Sequence, residues 1–290
     1  HADMIELEDG RWYMVSLGKR NDLDGDANMG RETYLMPMQW EPTIVKWEQV
    51  SEDRWEPLRY LFPVVAPLTG KVERFTPLPY ADKPQYINNT VVDDFLDENL
   101  DLRWTFVRVP EDKTYSLSEN PGFLRLYSKP GIIQDRKRFS LVGFRQKESD
   151  FEFEVKMNFS PEKDKVESGI IHYQKEWNYL TNTVTKVKKK YYLEQKLKEK
   201  SKEIVTLKKT ILKGYDGNII LKVKSKKDKY DFYYSLNNGS SFIYFTSMDA
   251  IKILDRNYTG ALLGLYTTSN EKVTQDYADY DWIRYRDYLR

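Results

Sequence analysis

Chemistry in this 290-residue chain must come from carboxylates, hydroxyls, lysine, arginine or one of two histidines, because it contains no cysteine. That excludes disulfides, thiolate metal sites and cysteine nucleophiles, and it leaves the compartment undetermined. His1 heads an alternating segment, H-A-D-M-I-E, where a histidine on its own reads as a packed or hydrogen-bonded strand residue. Arg31, in G-R-E-T-Y-L, reads by itself as a salt-bridged surface arginine. His172 lies in the alternating run Ile170-Ile171-His172-Tyr173 and is expected to be structural. Asp93, Asp94 and Asp281 offer hard oxygen ligands compatible with a structural calcium ion; ordinary turn and surface acids are the competing reading.

The elements that must position these residues are strands. Tyr, Phe and Trp number 22, 13 and 7, Ala is scarce, and good helix formers rarely recur at helical spacing, a composition that favours β structure. Short alternating segments separated by Asp, Gly or Asn run from Ile5 to Met36, with an Asp9-Gly10 hairpin turn placing Trp12 and Met14 on one face and Tyr13 and Val15 on the other. Seven prolines between residues 41 and 91 predict a covering segment and linker without any long element. From Val91 a second strand series spaced near ten residues predicts a β-sandwich.

One stretch resists. KVKKKYYLEQKLKEKSKEIVTLKKTIL, residues 186–212, has helix-forming composition, yet Tyr191-Leu193 and Ile204-Val205-Leu207 also fit two half-exposed strands joined by a lysine-rich turn, with the lysines facing solvent and discouraging edge pairing. Between Lys186 and Tyr230 there are 16 Lys against 5 Asp+Glu, a local +11 that leaves −10 on the rest of a chain whose total is +1. That total supplies no chain-wide field for nucleic acid or an anionic membrane. No run approaches the roughly 18 apolar residues of a membrane span, and the length suffices for a large core. A homo-oligomer is compatible with all of this.

The opening segment H-A-D-M-I-E-x-x-D-G-R-W-Y-M-V, with G-R-E-T-Y-L from Gly30, resembles the last blade of the five-bladed β-propeller of glycoside hydrolase family 43, in its β-xylosidase and α-L-arabinofuranosidase branch. Downstream, D-D-F at Asp93, L-D-x-R-W at Leu100, N-P-G-F-L-R-L at Asn120, L-V-G-F-R-Q at Leu141, E-S-G-I-I-H-Y-Q at Glu167, Y-T-G-A-L-L-G at Tyr258 and A-D-Y-D-W-I-R-Y at Ala278 resemble the appended concanavalin-like sandwich. The resemblance covers nearly the whole chain. It implies an all-β fold: an incomplete five-bladed propeller represented by its final blade over residues 1–62, a linker over 63–90 and a concanavalin-like antiparallel sandwich over 91–290, with strands across 186–212.

It also implies a function. Members hydrolyse glycosidic bonds with inversion, using a base Asp, an acid Glu and a second Asp that orients the acid, all on earlier blades. An inverting pair brackets the sugar with carboxyls roughly 6.5–9.5 Å apart, which one open blade cannot hold. None of the acids here matches those motifs, so no catalytic residue is expected in this chain. Together with a start at His1 instead of Met, this makes it a C-terminal fragment in expectation. By resemblance, Arg31 reaches the sugar pocket and holds hydroxyls with a permanently charged planar donor. His1 faces the propeller channel near a bound cation or water, and Tyr258 stands where relatives insert an aromatic side chain at the pocket rim. An oligosaccharide containing xylose or arabinose is the implied partner, and no cofactor is required. The alternative is a non-catalytic carbohydrate-binding or structural sandwich.

Two features depart from the pattern or qualify it. Some twenty residues carrying Trp47 and Trp55 separate Trp40-Glu41 from Phe62-Pro63-Val64-Val65, where relatives have a short connection. Four N-x-[ST] sequons, at Asn88, Asn158, Asn238 and Asn257, matter only in a glycosylating host.

Overall fold

The structure, a computed structural model, describes residues 1–20, 28–73, 75–80, 90–136, 139–226, 229–255 and 258–288. Its strands are β1 (Ala2–Glu6), β2 (Trp12–Gly18), β3 (Glu32–Ser51), β4 (Arg54–Val65), β5 (Thr90–Asp93), β6 (Thr105–Phe106), β7 (Tyr115–Ser116), β8 (Leu124–Tyr127), β9 (Ser140–Arg145), β10 (Phe151–Asn158), β11 (Glu167–Lys175), β12 (Asn178–Val187), β13 (Lys190–Glu199), β14 (Val205–Ile211), β15 (Asn218–Lys226), β16 (Lys229–Ser235), β17 (Ile243–Asp249), β18 (Leu262–Thr268) and β19 (Tyr277–Asp287). Two short 3-10 turns, Ile133–Asp135 and Ala250–Lys252, are the helical elements among the described residues. The chain forms two compact units, His1–Arg20 with Arg31–Ile87, and Asn21–Gly30 with Asn88–Arg290.

The first unit is one antiparallel sheet in the order β1-β2-β3-β4. Its first turn is made by Gly10 at φ 82, a left-handed conformation that glycine adopts without penalty. The Gly10 N–H donates to the Leu7 carbonyl at 2.9 Å, and Asp9 Oδ1 accepts from the Arg11 N–H at 3.1 Å. Tyr13, Met36 and Met38 are its buried strand residues.

The prolines do not break this sheet. β3 runs 20 residues and pairs with β4 out to Ser51↔Arg54, a long hairpin where a broken covering segment was expected. β4 continues to Val65, into the expected linker. The reason is register. Pro37 accepts from the Ala66 N–H at 2.8 Å, so its nitrogen faces the β4 side just beyond the end of that ladder. Alternation then turns Pro42 away from β4, toward the side where β2, whose pairing stops at Trp12↔Met38, is absent. On β4, Pro57 and Pro63 face the open edge. None of the four removes a ladder hydrogen bond.

The second unit is a sandwich. One sheet runs β17-β16-β15-β10-β19-β8-β7, with β5 also pairing along β19; the other runs β14-β13-β12-β11-β18-β9-β6. Period two is plain in β10, where Phe151, Phe153, Val155 and Met157 are all fully buried. They meet Leu221, Val223, Tyr280, Ile283 and Tyr285 on their own sheet and Ile170, Leu180, Val184, Leu193, Leu263 and Leu265 on the other. Each such side chain contributes about 1.5–3 kcal/mol by leaving water. The outward residues Ile171, Tyr173, Tyr179, Leu262 and Tyr266 form a smaller cluster with Ile133 and Leu141. Tyr280 buries its hydroxyl at 2.8 Å from Ser168 Oγ and donates to the Gly169 carbonyl at 3.0 Å, so burial costs it no hydrogen bond.

The lysine-rich stretch is a strand pair, β13 and β14, but its lysines do not all face solvent. Lys196 sits between Glu167, at 2.5 Å, and Glu194, at 3.2 Å, and Lys209 pairs with Glu194. Burial alone would raise the Glu194 pKa; hydrogen bonds and charge from Lys209 and Lys196 overcome it and hold the carboxyl below its usual range. Burial likewise opposes the Lys196 ammonium, and Glu167 and Glu194 outweigh it. These lysines neutralise buried glutamates on the sheet face, a role that counting charges along the sequence cannot reveal.

Candidate functional site

Two of the motif glycines recognised in the sequence fasten to one another. Gly30 forms a bridge with Thr259, and the Ala261 N–H donates to the Asn28 carbonyl at 2.5 Å. Gly30 has φ 69, and a Cβ on it would lie 2.3 Å from the Gly260 nitrogen; a Cβ on Gly260 would lie 2.3 Å from the Met29 carbonyl oxygen. Side chains are therefore excluded at both positions, by conformation at Gly30 and by backbone approach at each. Arg145 Nη2 donates to the Met29 carbonyl at 3.1 Å, and Gln174 Nε2 donates to the Thr259 carbonyl at 2.9 Å. The peptide preceding Arg31 is thus held against the peptide following Tyr258.

Arg31 is exposed and immediately precedes β3; beside it, Glu32 takes both Arg20 Nε and Nη2 at 2.7 Å, fixing the start of the strand. Tyr258 is 65% exposed. Asn28, Met29, Arg145 and Gln174 were not singled out from sequence; the available signal was the pair of glycines in G-R-E-T and Y-T-G, each needing a close neighbour.

The remaining candidates are described one by one. His1 is exposed at the head of β1, its carbonyl accepting from the Leu17 N–H at 3.5 Å. Asp93 uses both carboxyl oxygens, one for Trp104 Nε1 at 2.7 Å and one for the Phe95 N–H at 3.0 Å. Asp281 pairs with Lys156 at 2.7 Å, and Asp94 is exposed. Among the described residues no group of three or more His, Asp or Glu is arranged to hold a metal ion. No helix among them is long and apolar enough to cross a membrane.

His172 is a core residue, 2% exposed, stacked on Tyr230 at 4.9 Å with Phe151 at 5.8 Å. Burial pulls its pKa down to about 3, so it is neutral at physiological pH. Asn158 donates to Asn218 Oδ1 at 3.1 Å, and Asn238 takes a left-handed φ of 55. The Asn88 and Asn257 sequons lie outside the described residues.

The family model for the β-xylosidase C-terminal concanavalin A-like domain matches residues 92–286. Over 289 residues the chain is 28% identical to the non-reducing end alpha-L-arabinofuranosidase BoGH43B of Bacteroides ovatus, covering 99% of this chain and 50% of the relative. It is 30% identical over 299 residues to a xylosidase/arabinosidase of Butyrivibrio fibrisolvens, covering 98% and 51%. The chain spans about half the length of these curated relatives. Among solved structures, the Bacteroides ovatus xyloglucan-locus GH43B superposes with a TM-score of 0.83 at 26% identity, over 99% of this chain and 53% of that one. The GH43 BlXynB protein of Bacillus licheniformis gives 0.78 at 27%, with the same coverage. With a lone propeller-type blade followed by a concanavalin-like sandwich, in a chain that matches half of each relative, the protein belongs to glycoside hydrolase family 43 and represents its C-terminal portion.

Proposed function

We propose that this chain is the C-terminal part of an enzyme that hydrolyses O-glycosidic bonds in xylo-oligosaccharides or arabinose-decorated xylan. Near end-to-end similarity to half of an arabinofuranosidase and of a xylosidase/arabinosidase is the observation that carries this reading. The mechanism is inversion. A carboxylate base activates water, a carboxylic acid protonates the leaving oxygen, and both belong to the portion of the polypeptide preceding His1.

The role of this portion is positioning. Arg31 holds sugar hydroxyls with a guanidinium that cannot lose its charge, and the Tyr258 ring limits the length of chain that can enter. The test uses the longer polypeptide. Arg31→Ala should lower kcat/KM roughly 100-fold with an unchanged unfolding midpoint, as loss of a contact made to the reacting sugar does. Proton NMR of the first-formed product should show inverted anomeric configuration. Unchanged kcat/KM removes Arg31 from the site, and a retained configuration refutes the mechanism.

A further inference from the structure

We propose that the sandwich itself carries a saccharide-binding cleft that prefers chains bearing a carboxylate, such as xylo-oligosaccharides substituted with a uronic acid. The cleft, about 660 Å³, opens where β6, β9, β11 and β18 end on the outward face of the seven-stranded sheet. That volume lies within the range of small-molecule sites.

Its apolar lining comprises Leu102, Val107, Leu262, the nearly buried Tyr173, Phe106, whose ring stacks on Tyr115 at 5.4 Å against the inter-sheet core, and the half-buried Trp177 ring in the β11–β12 turn. Flat rings of this kind accept the apolar face of a pyranose, while its hydroxyl rim needs donors and acceptors in the ring plane. Those are present and are held from behind. Asp101 fixes Arg103 through two contacts of 2.8 Å, the Met29 carbonyl holds Arg145, and the Thr259 carbonyl holds Gln174. Arg136 grips Glu176 at 2.8 Å, with Arg108 at 3.9 Å. Groups already fixed lose little freedom when a ligand arrives.

Charge chooses the ligand. Arg103, Arg145 and Lys175 line the cleft against one acid, Glu176. Asp101 offsets Arg103 and Arg136 offsets Glu176, which leaves the positive charge of Arg145 and of Lys175, whose ammonium lies 5.3 Å from the Trp177 ring centroid. A cation beside an aromatic platform suits a sugar ring that carries a carboxylate.

The pentose backbone chosen for the probe rests on the glycosidase reading, whereas the carboxylate preference rests on the cleft alone. Calorimetric titration of the 290-residue chain with xylotriose, and with xylotriose bearing one glucuronic acid, separates them. The acidic ligand should bind roughly tenfold tighter, an advantage that shrinks as salt is raised. Lys175→Gln should reduce that advantage while leaving xylotriose binding unchanged. Trp177→Ala should abolish binding of both, with the near-ultraviolet spectrum confirming a folded sandwich. Equal affinities, no heat from either ligand up to about 10 mM, or full binding by folded Trp177→Ala would overturn the proposal. Hydrolysis by the longer polypeptide is measured independently, so the two readings fail separately.

Discussion

The sandwich and the four-stranded sheet are built from similar strand sequences and treat their apolar residues in opposite ways. In the sandwich two sheets cover each other, and large side chains such as Phe153, Tyr230, Tyr280 and Tyr285 show no surface at all. In the β1–β4 sheet apolar side chains reach solvent on both faces: Trp47, Trp55 and Leu61 share one face by register, Tyr60 and Phe62 the other, and Met4 and Ile5 lie on the edge strand. A sheet stabilises itself when at least one face is covered, as the sandwich does internally. A propeller blade instead presents two faces for neighbouring blades. The sandwich holds its own core, whereas the four-stranded sheet leaves apolar side chains on both faces uncovered among the described residues.

The sharpest way to break this comparison is to truncate equivalent aromatics. Phe153→Ala should cost about 3–5 kcal/mol, whereas Phe62→Ala, at a residue 45% exposed, should cost under about 1 kcal/mol by urea unfolding. Similar losses at both would mean the blade is as well packed as the sandwich. Gly260→Ala drives a Cβ into the Met29 carbonyl and should cost about 2–4 kcal/mol, read as a lowered midpoint. Lys196→Met strands Glu167 and Glu194 without their shared ammonium, and about 2–3 kcal/mol should be lost at neutral pH.

A pH dependence follows from His172. Its folded pKa is depressed, so the unfolded chain takes up a proton first as the pH falls below about 6.5. The stability of the neutral core form is present above that pH and is lost between there and about 3. His172→Phe should flatten this acid limb by roughly 2–3 kcal/mol between pH 6.5 and 4.5 in urea titrations. An unaltered limb would place the titrating group elsewhere. At the small end, Lys46→Ala should change stability by under about 0.5 kcal/mol, since its pairing with Glu48 is exposed on the blade ribbon.

What the sequence makes legible follows the range of the interaction. The Asp9-Gly10 turn and the alternation of Phe151 to Met157 are local and visible in composition and period. The long hairpin was hidden because a proline count ignores which way each ring nitrogen points, and the direction of Pro42 depends on where β2 ends. The buried setting of Lys196 was hidden because its partner Glu167 comes from β11, two strands away across the sheet. The fastening of Gly30 to Gly260 joins positions far apart in the chain, so the two motifs could be recognised while their contact could not. Arg31 and Tyr258 were nominated by resemblance alone, since neither side chain carries a local signal that separates a sugar contact from an ordinary surface residue.

The most direct test compares this chain with the longer polypeptide that contains it, using p-nitrophenyl β-D-xyloside and p-nitrophenyl α-L-arabinofuranoside. Turnover of at least one substrate is expected from the longer polypeptide and none from residues 1–290 alone. Hydrolysis by the isolated 290-residue chain, or none by the longer polypeptide, would contradict that expectation.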